Sequence, residues 1–431
     1  MALEEPLSVE RCGRSLLKGV YRLEPGHFIL LKRNGRVKQI RWWCTAEHFE
    51  TLPESFERQT TLFRERFKAA CALRMRSDVP LGTALSGGLD SSSVLGMMCH
   101  IAEQGTLPRL QRNWQTSFVA AYRNTPVDET PFARQVISHI NGRGVFVPID
   151  TPISSDEVDR ILYHLEDIYY DIPIGLWKLY KTMAEYGIRV TLDGHGGDEL
   201  LCGYPHHVIL AMADAMIPRY KFLTLGSHFL TFWRMHTVRR LSMLPKLEYI
   251  RKKPKIPEYN DIFPDWDTDK HHLSHFGHME RMLYFDTHFN SLPAILRNFD
   301  RMSMAHGVEI RTPFLDWRLV SLAFSLPMKA KLGKGTTKLI LRHAMKGLLP
   351  EAIRTRSSKV GFVHIKSPEH TPHFPFLQET IHSRAFRESH FFDGKRISMN
   401  FEKALKSGDW SKTRWPESHV MLTRLVHLMK S

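Results

Sequence analysis

The run Ser86-Gly87-Gly88-Leu89-Asp90-Ser91 constrains this chain more than any other feature. It stands between an apolar stretch, Val79 to Leu85, and an apolar-periodic stretch, Ser91 to Ala102. Strand, glycine turn, helix is the local plan of a loop that cradles phosphate. The glycines let the backbone approach an anion without a Cβ in the way. The following helix aims free N–H groups and a positive dipole end at the same point. Ser86, Ser91 and Ser92 add hydroxyl donors. Asp90 repels phosphate, so it fits better as a ligand for Mg²⁺, a cation usually held by one or two carboxylates plus substrate phosphates.

A second loop follows another apolar run. Ile188 to Leu192 reads as a buried strand, and Asp193-Gly194-His195-Gly196-Gly197-Asp198-Glu199 comes next. Ligands of open parallel sheets bind beyond the carboxyl ends of strands, so Asp198 and Asp90 can meet across one metal ion. The surrounding pattern agrees. Phe56 to Arg76 has helical spacing at Phe63, Phe67, Ala70 and Leu73. Strands are expected at 116–121 and 144–148, and helices at 131–140, 155–167 and 176–186. Alternation of this kind predicts an α/β fold, a parallel sheet with helices on both faces. The part after Tyr204 reads as mainly helical, with a proline- and lysine-rich connection at 245–264.

The first loop lacks the Lys-Ser/Thr pair of a Walker-type loop and resembles the SGGxDS loop of the PP-loop ATP pyrophosphatases. Two further blocks narrow the resemblance: Leu296 to Ala305 running on to Asp316, and Lys338 to Arg342 with Leu348-Leu349-Pro350 and Lys359-Val360-Gly361-Phe362. The four blocks in this order resemble the synthetase domain of the asparagine synthetase B family, over about Phe56 to Phe362. The resemblance implies an ATP-dependent, AMP-forming amide ligase. Ser86, Gly87, Gly88, Asp90 and Ser91 match its pyrophosphate loop, and Gly194 a glycine near the nucleotide. Asp90 and Asp198 match its two magnesium ligands. Lys338 and Lys359 match lysines that meet the phosphates or stabilise the transition state, a role suited to a compact point charge. Asp128 and Glu129 match an acidic pair after the second strand, or simply favour a helix N-terminus.

His195 departs from the family. Asparagine synthetases usually carry Glu or Gln there, and the related β-lactam synthetases a proton-transferring Tyr. An imidazole suits a base that deprotonates an attacking amine, and it also suits a loop hydrogen bond. Family members also begin with a glutaminase domain whose nucleophile is a terminal cysteine. Here Ala2 follows Met1 and the first cysteine is Cys12. Residues 1–50 read as a short β remnant of that domain, with strands at 28–31 and 37–43 around Arg33-Asn34-Gly35, and residues 51–431 as the synthetase domain. Three explanations fit: the amine is ammonia or part of the substrate, a separate glutaminase-like or substrate-delivering protein supplies the lobe, or the start lies downstream of the true one.

The functions left open are an asparagine synthase-like ligase acting on aspartate or a related acid, an intramolecular cyclase of lasso-peptide or β-lactam type, an RNA-modifying PP-loop enzyme, and a non-catalytic binding protein. The net charge of +15 could attract ATP, an acidic peptide or RNA. Its densest run, Lys246 to Lys255, comes with no aromatic-plus-basic module, so nucleic acid is not the expected partner. Five scattered cysteines without a CxxC pair suggest reduced thiols and a cytoplasmic setting, and no stretch is long and apolar enough to span a bilayer. His271, His275 and His278 could share a helix face and bind zinc, but no cysteine or carboxylate cluster completes the site, and a solvent-facing patch is the better expectation.

Overall fold

The structure is a computed structural model that describes residues 3, 7, 10, 13–105, 114, 116–123, 125, 127–216, 222–235, 269, 271–358, 371–410 and 416–429. Lys359, Cys12 and the basic run at 246–255 lie outside the described residues.

The chain opens with an antiparallel hairpin, β1 (His27–Leu31) and β2 (Val37–Arg41), turned at Gly35 with φ +76°. Helix α1 (Phe56–Arg74) follows. Ser55 caps it by accepting the Arg58 N–H at 3.2 Å. Its apolar stripe buries Phe63, Phe67 and Ala70, but Leu73, expected on the same stripe, is 39% exposed. The buried line continues through Cys71 instead.

Then come β3 (Leu81–Ala84), α2 (Leu89–Glu103), β4 (Thr116–Ala121), α3 (Thr130–His139), β5 (Arg143–Pro148), α4 (Ser155–Leu165), α5 (Ile174–Glu185) and β6 (Val190–Leu192). The short α6 (Gly197–Leu200), α7 (Pro205–Met216) and α8 (Phe222–Met235) follow, and later α9 (His278–His288) and α10 (Ser291–Met304). The fifth strand, β7 (Glu309–Arg311), falls in the part expected to be mainly helical. Its three residues alternate charge, apolar, charge and carry no apolar run. Arg311 is held by the carbonyls of Arg74 and Arg76, at 2.9 and 2.6 Å.

The five strands form one parallel sheet in the order β5-β4-β3-β6-β7. The chain starts at the middle, moves out through β4 and β5, and returns to lay β6 on the other side of β3. The order therefore reverses between β3 and β6, the place where open α/β sheets bind ligands. Helices cover both faces. One core gathers Phe63, Phe67, Val94 and Phe314, and the other gathers Ile161, Trp177, Tyr180 and Met302. Strands buried on both sides need this double cover.

The histidine run does not share one helix face. The helical turn stops before Ser274 and a new helix starts at His278. His271 and His275 are exposed, while His278 Nδ1 meets Asp214 Oδ1 at 2.6 Å. The described cysteines, Cys44, Cys71, Cys99 and Cys202, are free and buried. Among the described residues no helix is long and apolar enough to cross a membrane.

Candidate active site

Both loops predicted from sequence leave the sheet at this reversal. In the first, hydroxyls organise the backbone. Ser91 Oγ accepts the Ser86 N–H at 3.2 Å, and Ser86 Oγ accepts the Gly88 N–H at 3.1 Å. Gly88 is the N-cap of the fifteen-residue α2, so the helix starts with its first N–H groups at the loop.

The second loop closes on the first without side chains between. A Cβ at Gly194 would lie 2.6 Å from Ser91 N, so only glycine permits the contact. Gly203 is as crowded: a Cβ there would come 1.7 Å from Asp198 Oδ1 and 2.6 Å from Lys338 Cε. No pattern in the sequence assigns Gly203 this role.

Asp90, on the first turn of α2, and Asp198, on α6, converge on a single cation, the Lys338 ammonium. Lys338 Nζ is 2.5 Å from Asp198 Oδ1 and bonds Asp90 Oδ2. Burial alone would push the ammonium pKa down, but Asp198 and Asp90 outweigh it and hold it above its ordinary value. Lys338 adopts the left-handed conformation, φ +53°, fixed by its N–H to the Leu201 carbonyl at 3.2 Å. Such a conformation in a lysine costs energy, and functional sites are where it persists. Two carboxylates brought by two strand ends to one cationic point are a hard-oxygen donor set that fits Mg²⁺.

His195 lies in the second loop between Gly194 and Asp198, half-buried, its ring edge against Phe299 with centroids 4.1 Å apart. Its Nε2 lies 3.6 Å from Asp193 Oδ2, too far for a hydrogen bond, and has no hydrogen-bond partner among the described residues. Asp193 is buried and tied down. It accepts the Tyr180 hydroxyl at 2.8 Å and the Thr191 hydroxyl at 2.7 Å. Sequence reading passed over Asp193 because one carboxylate after a strand carries no signal of its own.

Arg356 was also missed. Its guanidinium donates to the Gly87 carbonyl at 3.4 Å, pairs with Glu129 at 2.8 Å and lies over the Phe132 ring at 3.7 Å. Glu129 is thus part of an ion pair over the first loop. Asp128 only caps, accepting the Thr130 N–H and hydroxyl. Asp300 and Arg301 do not pair with each other: Asp300 is exposed, and Arg301 reaches the Leu165 carbonyl and Glu166 at the end of α4.

Asp286 holds the turn after α6. His206 Nε2 and His207 Nε2 both lie 2.9 Å from its Oδ2, and Asn290 Nδ2 donates to its Oδ1 at 2.6 Å. Two imidazoles and a carboxylate are a metal-ligand set. The second shell points the other way. The Tyr204 N–H faces His207 Nδ1 at 3.4 Å, leaving the ring proton on Nε2, whereas a metal at Nε2 needs that proton on Nδ1. Burial drives the His207 pKa down to about 4, so this buried ring donates to the carboxylate as a neutral imidazole. The cluster is a hydrogen-bonded bracket.

Comparison with known proteins bears on this geometry. The family model described as Asparagine synthase matches residues 62–426. Among curated relatives, "Amidase chry2" of Gibberella zeae is 26% identical, over 80% of this chain and 58% of its own length. "Asparagine synthetase [glutamine-hydrolyzing] 1" of Bacillus subtilis is 25% identical, over 80% of this chain and 55% of its own. "Asparagine synthetase [glutamine-hydrolyzing] 3" of the same organism is 26% identical, over 90% and 62%. The chain thus spans little more than half the length of these relatives.

Proposed function

The chain belongs to the asparagine synthase family, and from that premise we propose that it is an ATP-dependent ligase that joins a carboxylate to an amine, forming AMP and pyrophosphate. The observation that carries the reading is the convergence of Asp90, Asp198 and Lys338 on one point at the β3/β6 reversal, beside a loop built to face an anion.

A carboxylate oxygen of the substrate attacks the α-phosphorus of ATP. The bond from that phosphorus to the bridging oxygen of the β-phosphate breaks, and pyrophosphate leaves. Asp90 and Asp198 would hold Mg²⁺, which when bound would supply neutralisation of charge on the phosphate oxygens. Ser86, Gly87, Gly88 and Ser91 form the cradle for the departing pyrophosphate, and the α2 N-terminus faces it. Lys338, the cation between the two loops, supplies a positive charge where negative charge develops. Lys359, in the stretch that follows Arg356, is the second cation of this reading. The amine then attacks the acyl carbon, AMP leaves, and the amine gives up a proton. His195 takes that proton on its imidazole ring, with Gly194 keeping the two loops in contact. Aspartate or a related acid, with ammonia as the amine, is the first substrate pair to test.

A second reading, ring closure by an amine of the same molecule, draws on one observation. The His195 ring stands with Nε2 3.6 Å from the buried Asp193 carboxylate, which would stabilise the imidazolium formed when the ring deprotonates a substrate ammonium. One experiment tests both. The protein is incubated with ATP, Mg²⁺, aspartate and ammonium, and AMP, pyrophosphate and asparagine are measured, with Asp90→Ala as control. Asparagine in step with AMP, lost in the control, is the expected result. AMP without asparagine moves the acid or the amine elsewhere, and no AMP from folded protein with any acid offered refutes the ligase. In His195→Ala, exchange of pyrophosphate into ATP persists while amide formation falls by about 10²-fold or more. Equal loss of both steps removes the base role.

A further inference from the structure

We infer, in a step that rests on the ligase reading above, that Arg342 is a positioning residue: one buried guanidinium holds the two backbone stretches that carry Lys338 and Arg356, and so sets where both charges meet the phosphates. Arg342 stands on the helix Leu339–Ala344 and is 7% exposed. Its Nε donates to the Thr337 carbonyl at 2.8 Å, and its Nη1 donates to the Arg354 carbonyl at 2.6 Å. Thr337 immediately precedes Lys338, and Arg354 stands two residues before Arg356.

Each of these carbonyls belongs to a peptide group that is clamped at both ends. The Thr337 carbonyl and the Lys338 N–H share one planar unit. Arg342 holds its oxygen, and the Leu201 carbonyl accepts its N–H at 3.2 Å. With that plane fixed, Lys338 keeps its left-handed φ of +53°, a conformation that persists in a lysine only where the surroundings over-determine it. The Arg354 carbonyl and the Thr355 N–H share a second planar unit. Arg342 holds that oxygen, and the Glu351 carbonyl accepts that N–H at 2.9 Å. Arg354 returns the contact, its Nη1 donating to the Arg342 carbonyl at 3.1 Å. The chain therefore leaves the helix Glu351–Arg354 in a fixed direction, and from there Arg356 reaches Gly87 and Glu129.

A strut with no further task has less costly forms. Among the described residues no carboxylate lies within ion-pair distance of this guanidinium, and a buried charge without such a partner is expensive to hold. Burial drives its pKa down to about 10, and Asp90 pulls it the other way, which puts the charge on the side of the phosphate loop. A neutral amide could satisfy either carbonyl by itself. The rigid fork of an arginine spans both and adds a positive charge, whereas a lysine brings the charge without the fork.

The test compares the parent with Arg342→Lys, which keeps the charge and loses the fork. Titration calorimetry reads the Kd for pyrophosphate with Mg²⁺, and exchange of pyrophosphate into ATP reads kcat and KM. In Arg342→Lys the Kd should rise about tenfold and the exchange kcat should fall by at least as much, the loss expected for a hydrogen bond from a charged group. The KM for the acid should stay within about twofold of the parent value. A role in stability alone would lower the thermal midpoint and leave the Kd of the folded protein as it was. The same substitution in a Lys338→Met/Arg356→Ala background should leave the Kd unchanged, because the two residues it acts through are gone. Should Arg342→Lys fail to fold, Arg342→Gln, which buries no charge, carries the same expectation. An unchanged Kd in the single variant, or an equal loss in the doubly substituted background, overturns the inference while the parent still exchanges pyrophosphate. A parent that neither binds nor exchanges pyrophosphate overturns the ligase reading, and this role with it.

Discussion

Lys338 shows how one side chain can order a whole site. Its ammonium neutralises two carboxylates that would otherwise face each other across the loops. Removing one member of a buried ionic group costs about 3–5 kcal/mol, because the remaining charges lose their partner. Lys338→Met should therefore lower the thermal midpoint in the absence of divalent metal, and Mg²⁺ should raise it more in the variant than in the parent. Equal Mg²⁺ responses would mean that Asp90 and Asp198 do not hold the metal. Lys331 is the opposite case. It is fully buried and without a hydrogen-bond partner among the described residues, and burial pushes its pKa down to about 8. At neutral pH the fold holds a desolvated ammonium with no ion pair within reach among the described residues, only the face of the Phe324 ring at 5.5 Å, so Lys331→Met should raise the melting temperature by a few degrees in calorimetry. A fall would mean that the amine is needed there. Asp90, Asp198, Gly194 and Lys338 were readable as residue types in their loops. Asp193 was not, because its meaning comes from Tyr180, Thr191 and His195 around it.

At the scale of elements, ties between loops hold the site together. Arg356 fastens the stretch after the helix Glu351–Arg354 to the Gly87 carbonyl and to Glu129 at the start of α3. Arg356→Ala should raise the KM for ATP and lower kcat together. A double-mutant cycle with Glu129→Gln should give a coupling of about 0.5–3 kcal/mol, against zero if the pair is incidental. The turn between α6 and α7 is fastened in the same way, by Asp286 on α9. The elements that sequence patterning located well, β4, α2 and α4, have apolar periods of their own. It missed β7, three residues with charges at both ends, and it allowed 271–278 one helix face where the chain turns at 273–277. A short edge strand exists because β6 offers it hydrogen bonds, and no local pattern announces that.

Across the whole molecule, burial sets the response to acid. His207, His288 and His306 have pKa values pushed down to about 4, in each case chiefly by burial. A free imidazole titrates near 6.5. Between those values the unfolded chain binds protons that the folded chain refuses, so stability rises with pH there. Their contribution is complete above about pH 6.5 and is lost as pH falls toward 4. Thermal midpoints should drop steadily from pH 7 to pH 5, and a flat profile would show these rings to be accessible to protons. The sequence by itself determined the α/β class, the two glycine loops and the acids within them. Each of these rests on local rules: glycine for close approach, apolar period for strand or helix, a carboxylate at a helix start. The tertiary structure alone decided that β6 lies beside β3 and that Lys338 bridges Asp90 and Asp198. It also decided that Arg356 closes over the first loop and that Arg342 joins the stretches that carry Lys338 and Arg356. Those facts depend on which distant segments pack together, and packing is a property of the whole chain.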